Sequence, residues 1–99
     1  MLTIEQIKAT VTEYFKDKPV KEVYLFGSYA RGDANEHSDV DLGITLKETK
    51  MSLWQYAGMA MGLEEILAHK VDLIQIHLMH SWVKQNFDKE KLEIYYAAA

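Results

Sequence analysis

The sequence predicts an α+β domain, α/β-like in its order, in which a small mixed β-sheet is covered by helices. Two observations carry this prediction. Helical spacing of apolar residues and strand-like alternation follow one another along the chain, and no repeat or low-complexity linker interrupts them. The predicted order is helix, strand, short helix, strand, helix, strand and helix, which is typical of a sheet with helices packed against it. The 99 residues suit a single domain, residues 1–99.

Composition restricts the classes of protein to which the chain can belong. There are no cysteines, which excludes a disulfide framework and a thiolate metal site. No apolar run approaches the roughly 20 residues of a membrane helix, and the N-terminus does not resemble a secretory signal, so we expect a cytoplasmic protein. The net charge of −4 argues against binding along a nucleic-acid backbone, which needs clustered Lys and Arg. A small phosphorylated ligand is compatible with this charge.

The first half of the chain predicts a helix, a strand, a short helix and a second strand. Thr3 is suited to cap the first helix, and Pro19 ends it because proline disfavours helix in the residue before it. The apolar residues that fall on one face of this helix are Ile4, Ile7, Val11, Tyr14 and Phe15. The segment VKEVYLFG predicts a strand, SYARG a helical turn closed by Gly32, and DVDLGITL a second strand that alternates in polarity.

The second half predicts two further helices around one strand. Residues from about Ser52 to His69 predict a helix with Ser52 as its cap, and KVDLIQIHL predicts a strand rich in β-branched residues. The segment HSWVKQNFDKEKLEIYY predicts a last helix. Its inner face is expected to carry Trp82, Phe87 or Lys91, Leu92 and Tyr95.

The helix that begins after Ser52 is apolar or small on almost all sides. We expect Leu53, Ala57, Ala60 and Leu67 to face the core, with Trp54, Met59 and Met61 elsewhere. Methionine adapts well to binding surfaces, so the second group could contact a partner. The alternative is that a small domain buries these residues, or that two copies bury them in a homodimer. For any single methionine, burial is the simpler interpretation.

Two aspartates, Asp39 and Asp41, lie two residues apart at the second predicted strand. Strand geometry puts them on one face, about 7 Å apart, with Val40 and Leu42 pointing the other way. Carboxylates so close raise each other's pKa unless a cation lies between them. Mg²⁺ is usually held by one or two carboxylates together with substrate phosphates. The pair therefore suits a metal site for phosphoryl transfer, and a plain solvent-facing strand edge is the alternative.

The segment FGSYARG places a Gly-Ser pair between an apolar strand and a short helix. Gly27 lets a ligand approach the backbone, and Ser28 could cap the helix and donate its hydroxyl to a phosphate. Arg31 lies one turn further on and could reach the same phosphate or a carboxylate. An ordinary strand-to-helix turn is the alternative, but the two aspartates in the next strand favour a phosphate site.

A third carboxylate, Asp72, lies in the strand KVDLIQIHL. It could complete a metal cluster with Asp39 and Asp41, or serve as general base for an attacking hydroxyl. The alternative is a solvent-exposed residue at the start of a strand. The other two aspartates favour the functional interpretation.

Together these residues resemble the nucleotidyltransferase superfamily that includes DNA polymerase beta. The stretch FGSYARGDANEHSDVDL, residues 26–42, is similar to its minimal nucleotidyltransferases, the MNT family. The resemblance implies a polymerase beta-like fold and nucleotidyl transfer from ATP or a related nucleotide with two divalent ions, Mg²⁺ or Mn²⁺. The catalytic residues and metal ligands that it implies are Asp39, Asp41 and Asp72. It implies that Gly27 and Ser28 hold the triphosphate, and the full set of predicted nucleotide-binding residues is Gly27, Ser28, Arg31 and Ser38.

The resemblance also implies a partner. Many minimal nucleotidyltransferases are encoded beside a helical HEPN-domain protein, as antitoxin to its toxin, and some transfer AMP to a tyrosine of that toxin. We therefore expect AMP transfer from ATP to a HEPN-domain protein in a toxin–antitoxin pair. Two alternatives stay open: nucleotidyl transfer to a small hydroxylated molecule, and a binding module that neutralises its partner by contact without catalysis.

Overall fold

Capping residues and strand-forming segments divide the chain much as the sequence predicts. The structure, a computed structural model, describes residues 1–47 and 51–97, so the predicted domain of residues 1–99 includes positions outside the described residues. The helices are α1 (Ile4–Phe15), α2 (Gly27–Arg31), α3 (Leu53–Leu67) and α4 (Ser81–Glu90). The strands are β1 (Val20–Phe26), β2 (Val40–Leu46), β3 (Val71–Gln75) and β4 (Leu92–Tyr96), with a 3₁₀ turn at Ile76–Leu78.

The strands form one mixed sheet in the order β3-β2-β1-β4. β1 runs antiparallel to both β2 and β4, while β2 and β3 are parallel. A parallel pair needs a crossover connection, and α3 lies in that connection. The mixed sheet with helices packed against it confirms the predicted α+β class, and these pairings supply the strand order that the sequence left open.

α1 and α3 both begin at capping boxes. Thr3 Oγ1 accepts a hydrogen bond from the Gln6 amide at 3.0 Å, and the Gln6 side chain accepts one from the Thr3 amide at 2.8 Å. Ser52 and Gln55 make the same pair of bonds at the start of α3. These bonds satisfy amides that have no partner within the helix, and they confirm both predicted caps. Within residues 1–47 and 51–97, no helix has the length and apolar character needed to cross a membrane.

The sheet has two faces of different character, which we call the core face and the α4 face. The core face packs against α1 and α3, and its completely buried side chains include Val23, Leu25, Leu42 and Ile44. The α4 face carries the alternate residues of the same strands. There Phe87 of α4 covers Tyr24 and Phe26, with ring centroids 5.8 and 5.2 Å away. The small space above Gly43 of β2 is filled by Phe87 as well.

The inner face of α3 differs from the prediction. Met59 and Leu63 are buried, whereas Leu53 is 82% exposed and Ala57 is exposed too. The predicted positions that are confirmed are Leu67 and the partly buried Ala60 on the inside, and Trp54 and Met61 on the outside. Because α3 is apolar around most of its circumference, the spacing of its apolar residues does not define which stripe packs against the sheet.

The prediction of a last helix is wrong in its second half. α4 ends at Glu90, Lys91 has an extended backbone with ψ 136°, and the following residues form β4 beside β1. Pairing with β1 gives this segment a ladder of backbone hydrogen bonds, and its β-branched and aromatic residues suit a strand. Of the expected inner residues Phe87 is buried, but Trp82 is 68% exposed. Leu92 and Tyr95 belong to the strand instead.

Candidate active site

Two of the predicted carboxylates lie side by side on the α4 face. Val40 and Leu42 of β2 are completely buried in the core, so the pleat of the strand turns the Asp41 side chain to the opposite face. Asp41 is partly buried, and its partner in the parallel pairing is Asp72 of β3. Paired residues of neighbouring strands share a face of the sheet. The structure therefore brings Asp41 and Asp72 together, as the sequence predicts.

The third carboxylate, Asp39, precedes β2 by one residue and is partly buried. Burial and the charges of Asp72 and Asp39 raise the pKa of Asp41 from 3.8 to about 6, with a smaller contribution from Glu90. The positive charge of Arg31 opposes this rise. The three predicted carboxylates therefore interact electrostatically, and the repulsion acts on Asp41.

A divalent cation would offset this repulsion. Among the residues that the structure describes, no three His, Cys, Asp or Glu side chains are arranged so that they alone could hold a metal ion. Mg²⁺ often takes only one or two carboxylates from the protein, with phosphate and water oxygens completing its shell. Asp39 and Asp41 carry oxygen donors of the kind that such a nucleotide-bound ion takes. The cluster of all three aspartates as metal ligands stays a prediction.

Gly27 lets the turn from β1 into α2 pass directly beside Asp41. Its φ of +75° lies in the left-handed region, where a residue with a Cβ is strained. A Cβ built on Gly27 would also overlap Asp41 Oδ2 and lie 3.0 Å from Asp41 Cγ. The backbone conformation therefore favours glycine at this position, and a side chain there would also displace the Asp41 carboxylate.

Ser28 follows this turn but does not cap α2, so the predicted capping role is wrong. The helix already begins at Gly27, so the N-cap residue is Phe26. Phe26 has an extended backbone, and its side chain makes no capping hydrogen bond. The Ser28 carbonyl accepts hydrogen bonds from the Gly32 and Asp33 amides at 3.0 and 3.1 Å. These bonds end the short helix at Gly32, as predicted. A contact between the Ser28 hydroxyl and a phosphate stays a prediction.

Arg31 contacts two carboxylates. Its Nε donates to Asp33 Oδ2 at 3.1 Å, and its Nη1 donates to Glu90 Oε2 of α4. Glu90 has only 16% of its side chain exposed, against 47% for Arg31. Sequence reasoning missed Glu90, because 59 residues separate it from Arg31 and only the packing of α4 against α2 brings them together. The role of Arg31 in binding phosphate stays a prediction.

Ser38 closes the loop that leads into β2. Its Oγ accepts a hydrogen bond from the Asn35 amide at 2.9 Å, and its own amide donates to the Asn35 carbonyl at 3.1 Å. The turn ends one residue before Asp39, so it fixes the direction in which the chain reaches the carboxylates. A contact between Ser38 and the nucleotide stays a prediction.

Comparison with known proteins identifies a family that spans most of the chain. The family model described as nucleotidyltransferase domain matches residues 4–95. The protein adenylyltransferase MntA of Thermococcus cleftensis is 34% identical over 94 residues, which cover 91% of this chain and 94% of that protein. The match thus extends over nearly the whole length of both proteins.

Solved structures share the fold at lower sequence identity. A crystal structure of a toxin–antitoxin with AMP-PNP has a TM-score of 0.77 and 20% identity, and covers 91% of this chain and 73% of that chain. A structure of a tri-AMPylated HEPN toxin of Shewanella oneidensis in complex with MNT antitoxin has a TM-score of 0.70 and 18% identity. It covers 91% of this chain and 70% of that chain. At such identities the likeness shows the fold.

Proposed function

Because the chain belongs to the nucleotidyltransferase domain family and is an enzyme of that class, we propose that it transfers AMP from ATP to a hydroxyl group of a protein partner. The observation that carries the proposal is the pairing of Asp41 with Asp72 beside the Gly27 turn. Carboxylates next to a backbone that a phosphate can approach suit phosphoryl chemistry. The similarity to protein adenylyltransferase MntA supports AMP as the transferred group.

The turn at the start of α2 would bind the triphosphate. Gly27 has no side chain to keep a phosphate away from the backbone, and the Ser28 hydroxyl would donate a hydrogen bond to a phosphate oxygen. Arg31 would add positive charge on the same side of the site, where its charge already acts on Asp41. Ser38 would complete the nucleotide site from the turn that precedes Asp39.

Asp39 and Asp41 would hold a divalent cation, Mg²⁺ or Mn²⁺, together with phosphate oxygens, and Asp72 is the predicted third ligand. When bound, such ions stabilise the charge that develops on the attacking and leaving oxygens of a phosphoryl transfer. With its pKa raised to about 6, Asp41 is partly protonated in mildly acidic solution and must lose that proton to bind a cation. Activity should therefore fall as the pH drops below about 6.

In the transfer, the acceptor's hydroxyl oxygen attacks the α-phosphorus of ATP and forms a new P–O bond. The bond between the α-phosphorus and its bridging oxygen to the β-phosphate breaks, and pyrophosphate leaves with the electron pair. If it is not bound to the metal as third ligand, the Asp72 carboxylate takes the acceptor's proton as general base. Asp72 is exposed on β3, at the edge of the sheet, so a hydroxyl carried by a separate protein can reach it.

A helical HEPN-domain toxin is the partner that we propose. Support comes from the structural neighbours, of which one is a tri-AMPylated HEPN toxin with MNT antitoxin and another is a toxin–antitoxin with AMP-PNP. The chain also exposes large apolar side chains on α3, with Trp54 at 88% and Met61 at 66% exposure. Exposed apolar groups of this size are common where proteins bind one another.

Incubation of the chain with a HEPN-domain toxin, Mg²⁺ and ATP labelled at the α-phosphate tests the proposal. We expect label on the toxin with the wild type, and a loss of about 100-fold or more with Asp41→Asn. Asp17→Asn is the matched control, because it removes an exposed aspartate in the turn before β1, at the opposite end of that strand from Gly27. Label on a small molecule, or neutralised toxin without label, would replace the proposal with the corresponding alternative.

A further inference from the structure

The strand that carries Asp72 lies at an edge of the sheet. Within the described residues, β3 has β2 as a strand neighbour on one side only. The Val40 amide of β2 donates to the Lys70 carbonyl at 2.9 Å, so the backbone of Lys70 and, by alternation, that of Asp72 face β2. The backbone groups of Val71 and Leu73 consequently point away from β2, toward the free edge.

Side chains of α3 bind this free edge on both sides of Asp72. The Val71 amide donates to Glu64 Oε2 at 2.9 Å. The Tyr56 hydroxyl donates to the Leu73 carbonyl at 2.7 Å. Both bonds are partly buried, and hydrogen bonds are stronger in such surroundings than in water. The two residues that flank Asp72 are therefore fixed to one helix.

We propose that Tyr56 and Glu64 are positioning residues, which hold the Asp72 carboxylate in place opposite Asp41. This inference rests on the proposed function, since it concerns the geometry of the same site. The Asp72 side chain is exposed, so its position depends on its backbone rather than on surrounding side chains. An edge strand opens locally more readily than a central one, and a catalytic group displaced by about 1 Å can cost about 100-fold in rate.

The ionisation of Tyr56 is consistent with this role. Burial, followed by the charge of Asp72, raises the pKa of Tyr56 to about 12. A tyrosine hydroxyl keeps its proton at neutral pH even at its ordinary pKa of 10.0, and the higher pKa leaves Tyr56 a donor to the Leu73 carbonyl in more alkaline solution as well.

α1 offers a matched control for the Tyr56 hydroxyl. The Tyr14 hydroxyl donates to the Met59 carbonyl, also at 2.7 Å and also partly buried, but this bond joins α1 to α3 and does not involve β3. Tyr14→Phe and Tyr56→Phe thus delete the same kind of hydrogen bond at two places. For the second residue, Glu64→Gln keeps an oxygen acceptor for the Val71 amide, whereas Glu64→Ala removes it.

The experiment measures kcat and KM for ATP of the full chain with a HEPN-domain toxin, and hydrogen exchange of the amides of residues 71–73 without nucleotide. We expect Tyr56→Phe and Glu64→Ala to lower kcat about 10- to 100-fold while KM for ATP stays unchanged. Tyr14→Phe should keep the wild-type kcat, and Glu64→Gln should recover most of it. The β3 amides should exchange faster in Tyr56→Phe than in Tyr14→Phe.

Two results would overturn the inference. One is an equal kcat for Tyr56→Phe and Tyr14→Phe, and the other is unchanged exchange of the β3 amides in Tyr56→Phe and Glu64→Ala. The exchange measurement needs no transfer activity. A wild-type chain that labels no toxin would therefore count against the proposed function, and exchange alone would still decide whether Tyr56 and Glu64 hold β3.

Discussion

On the core face of the sheet, β2 contributes Val40, Leu42 and Ile44, all completely buried, while on the α4 face the same strand contributes Asp41. Burial of the apolar side chains stabilises the fold by about 25 cal/mol per Å² of apolar surface. The partly buried carboxylate acts in the opposite direction, because its burial and then the charges of Asp72 and Asp39 disfavour its ionised form. One strand thus supplies stability and a reactive site at neighbouring positions, since its side chains alternate between two faces.

The largest effect that we expect is on the core face. Leu42→Ala removes a completely buried side chain between α1, α3 and the sheet, and should lower the free energy of unfolding by about 2–5 kcal/mol. Urea unfolding in EDTA measures this for Leu42→Ala and for Asp41→Asn, its neighbour on the other face. The two variants should shift stability in opposite directions. Similar destabilisation by both would contradict the division between the faces.

The next effect is on the α4 face, at the turn beside Asp41. Gly27→Ala places a methyl group against the Asp41 carboxylate and should lower AMP transfer by about 100-fold or more, because the carboxylate must move. Gly32→Ala is its control: the φ of Gly32 is also left-handed, +86°, but no atom lies within 4 Å of a Cβ there. Transfer per folded molecule is measured for both variants. Equal losses would mean that backbone strain, rather than contact with Asp41, is responsible.

The fold is predictable from the sequence where local signals decide it. The capping boxes at Thr3 and Ser52 lie within a few residues of the helices that they start. The Gly27 turn and Asp39 also follow one another within one short segment. β4 is different, because the same apolar residues can form a helix face or a strand. This segment forms a strand only because β1 lies beside it and provides backbone hydrogen-bonding partners.

The candidate site shows the same division. Asp41 and Asp72 could be proposed from their own strands, since alternation fixes the face on which each lies. The contacts around these aspartates could not be proposed from the sequence. Glu90 binds Arg31 across 59 residues, and Tyr56 of α3 binds the Leu73 carbonyl of β3. Such contacts depend on how helices pack on the finished sheet, and a spacing rule along one segment does not contain that information.

A smaller effect concerns the free energy by which the ionised Asp41 carboxylate destabilises the fold when no metal is bound. We expect Asp41→Asn to raise metal-free stability above pH 6 by on the order of 1 kcal/mol, once solvent screening of the partly exposed carboxyl is allowed for. The pKa of Asp41 in the fold, about 6, lies above its ordinary value of 3.8, so the folded chain binds this proton more tightly than the unfolded chain. The stability that protonation contributes is complete below pH 3.8 and is lost as the pH rises through about 6.

The difference between Asp41→Asn and wild type should therefore close as the pH falls. Thermal unfolding in EDTA over this pH range measures it. A difference that stays constant down to acidic pH would show that the shape of the side chain, and not its charge, explains the change. A lower stability of Asp41→Asn at every pH would mean that the aspartate supports the fold, and the contrast between the two faces would then fail at its central residue.

The smallest effect separates the two charges that α2 and α4 place beside Asp41. Arg31 lowers the pKa of Asp41 and Glu90 raises it, so Arg31→Gln should raise that pKa above about 6 and Glu90→Gln should lower it. Each change should stay below about one pKa unit, because Arg31 is 47% exposed and its charge is screened by water and salt.

Carboxyl NMR titration in EDTA measures the pKa of Asp41 in both variants. Glu13→Gln, which breaks the exposed pair with Lys16 on α1, is the control and should leave Asp41 unchanged. The opposite outcome would be a shift of the Asp41 pKa in the same direction in Arg31→Gln and Glu90→Gln. It would show that the Arg31–Glu90 pair affects Asp41 by shielding it from water, and not through two separate charges.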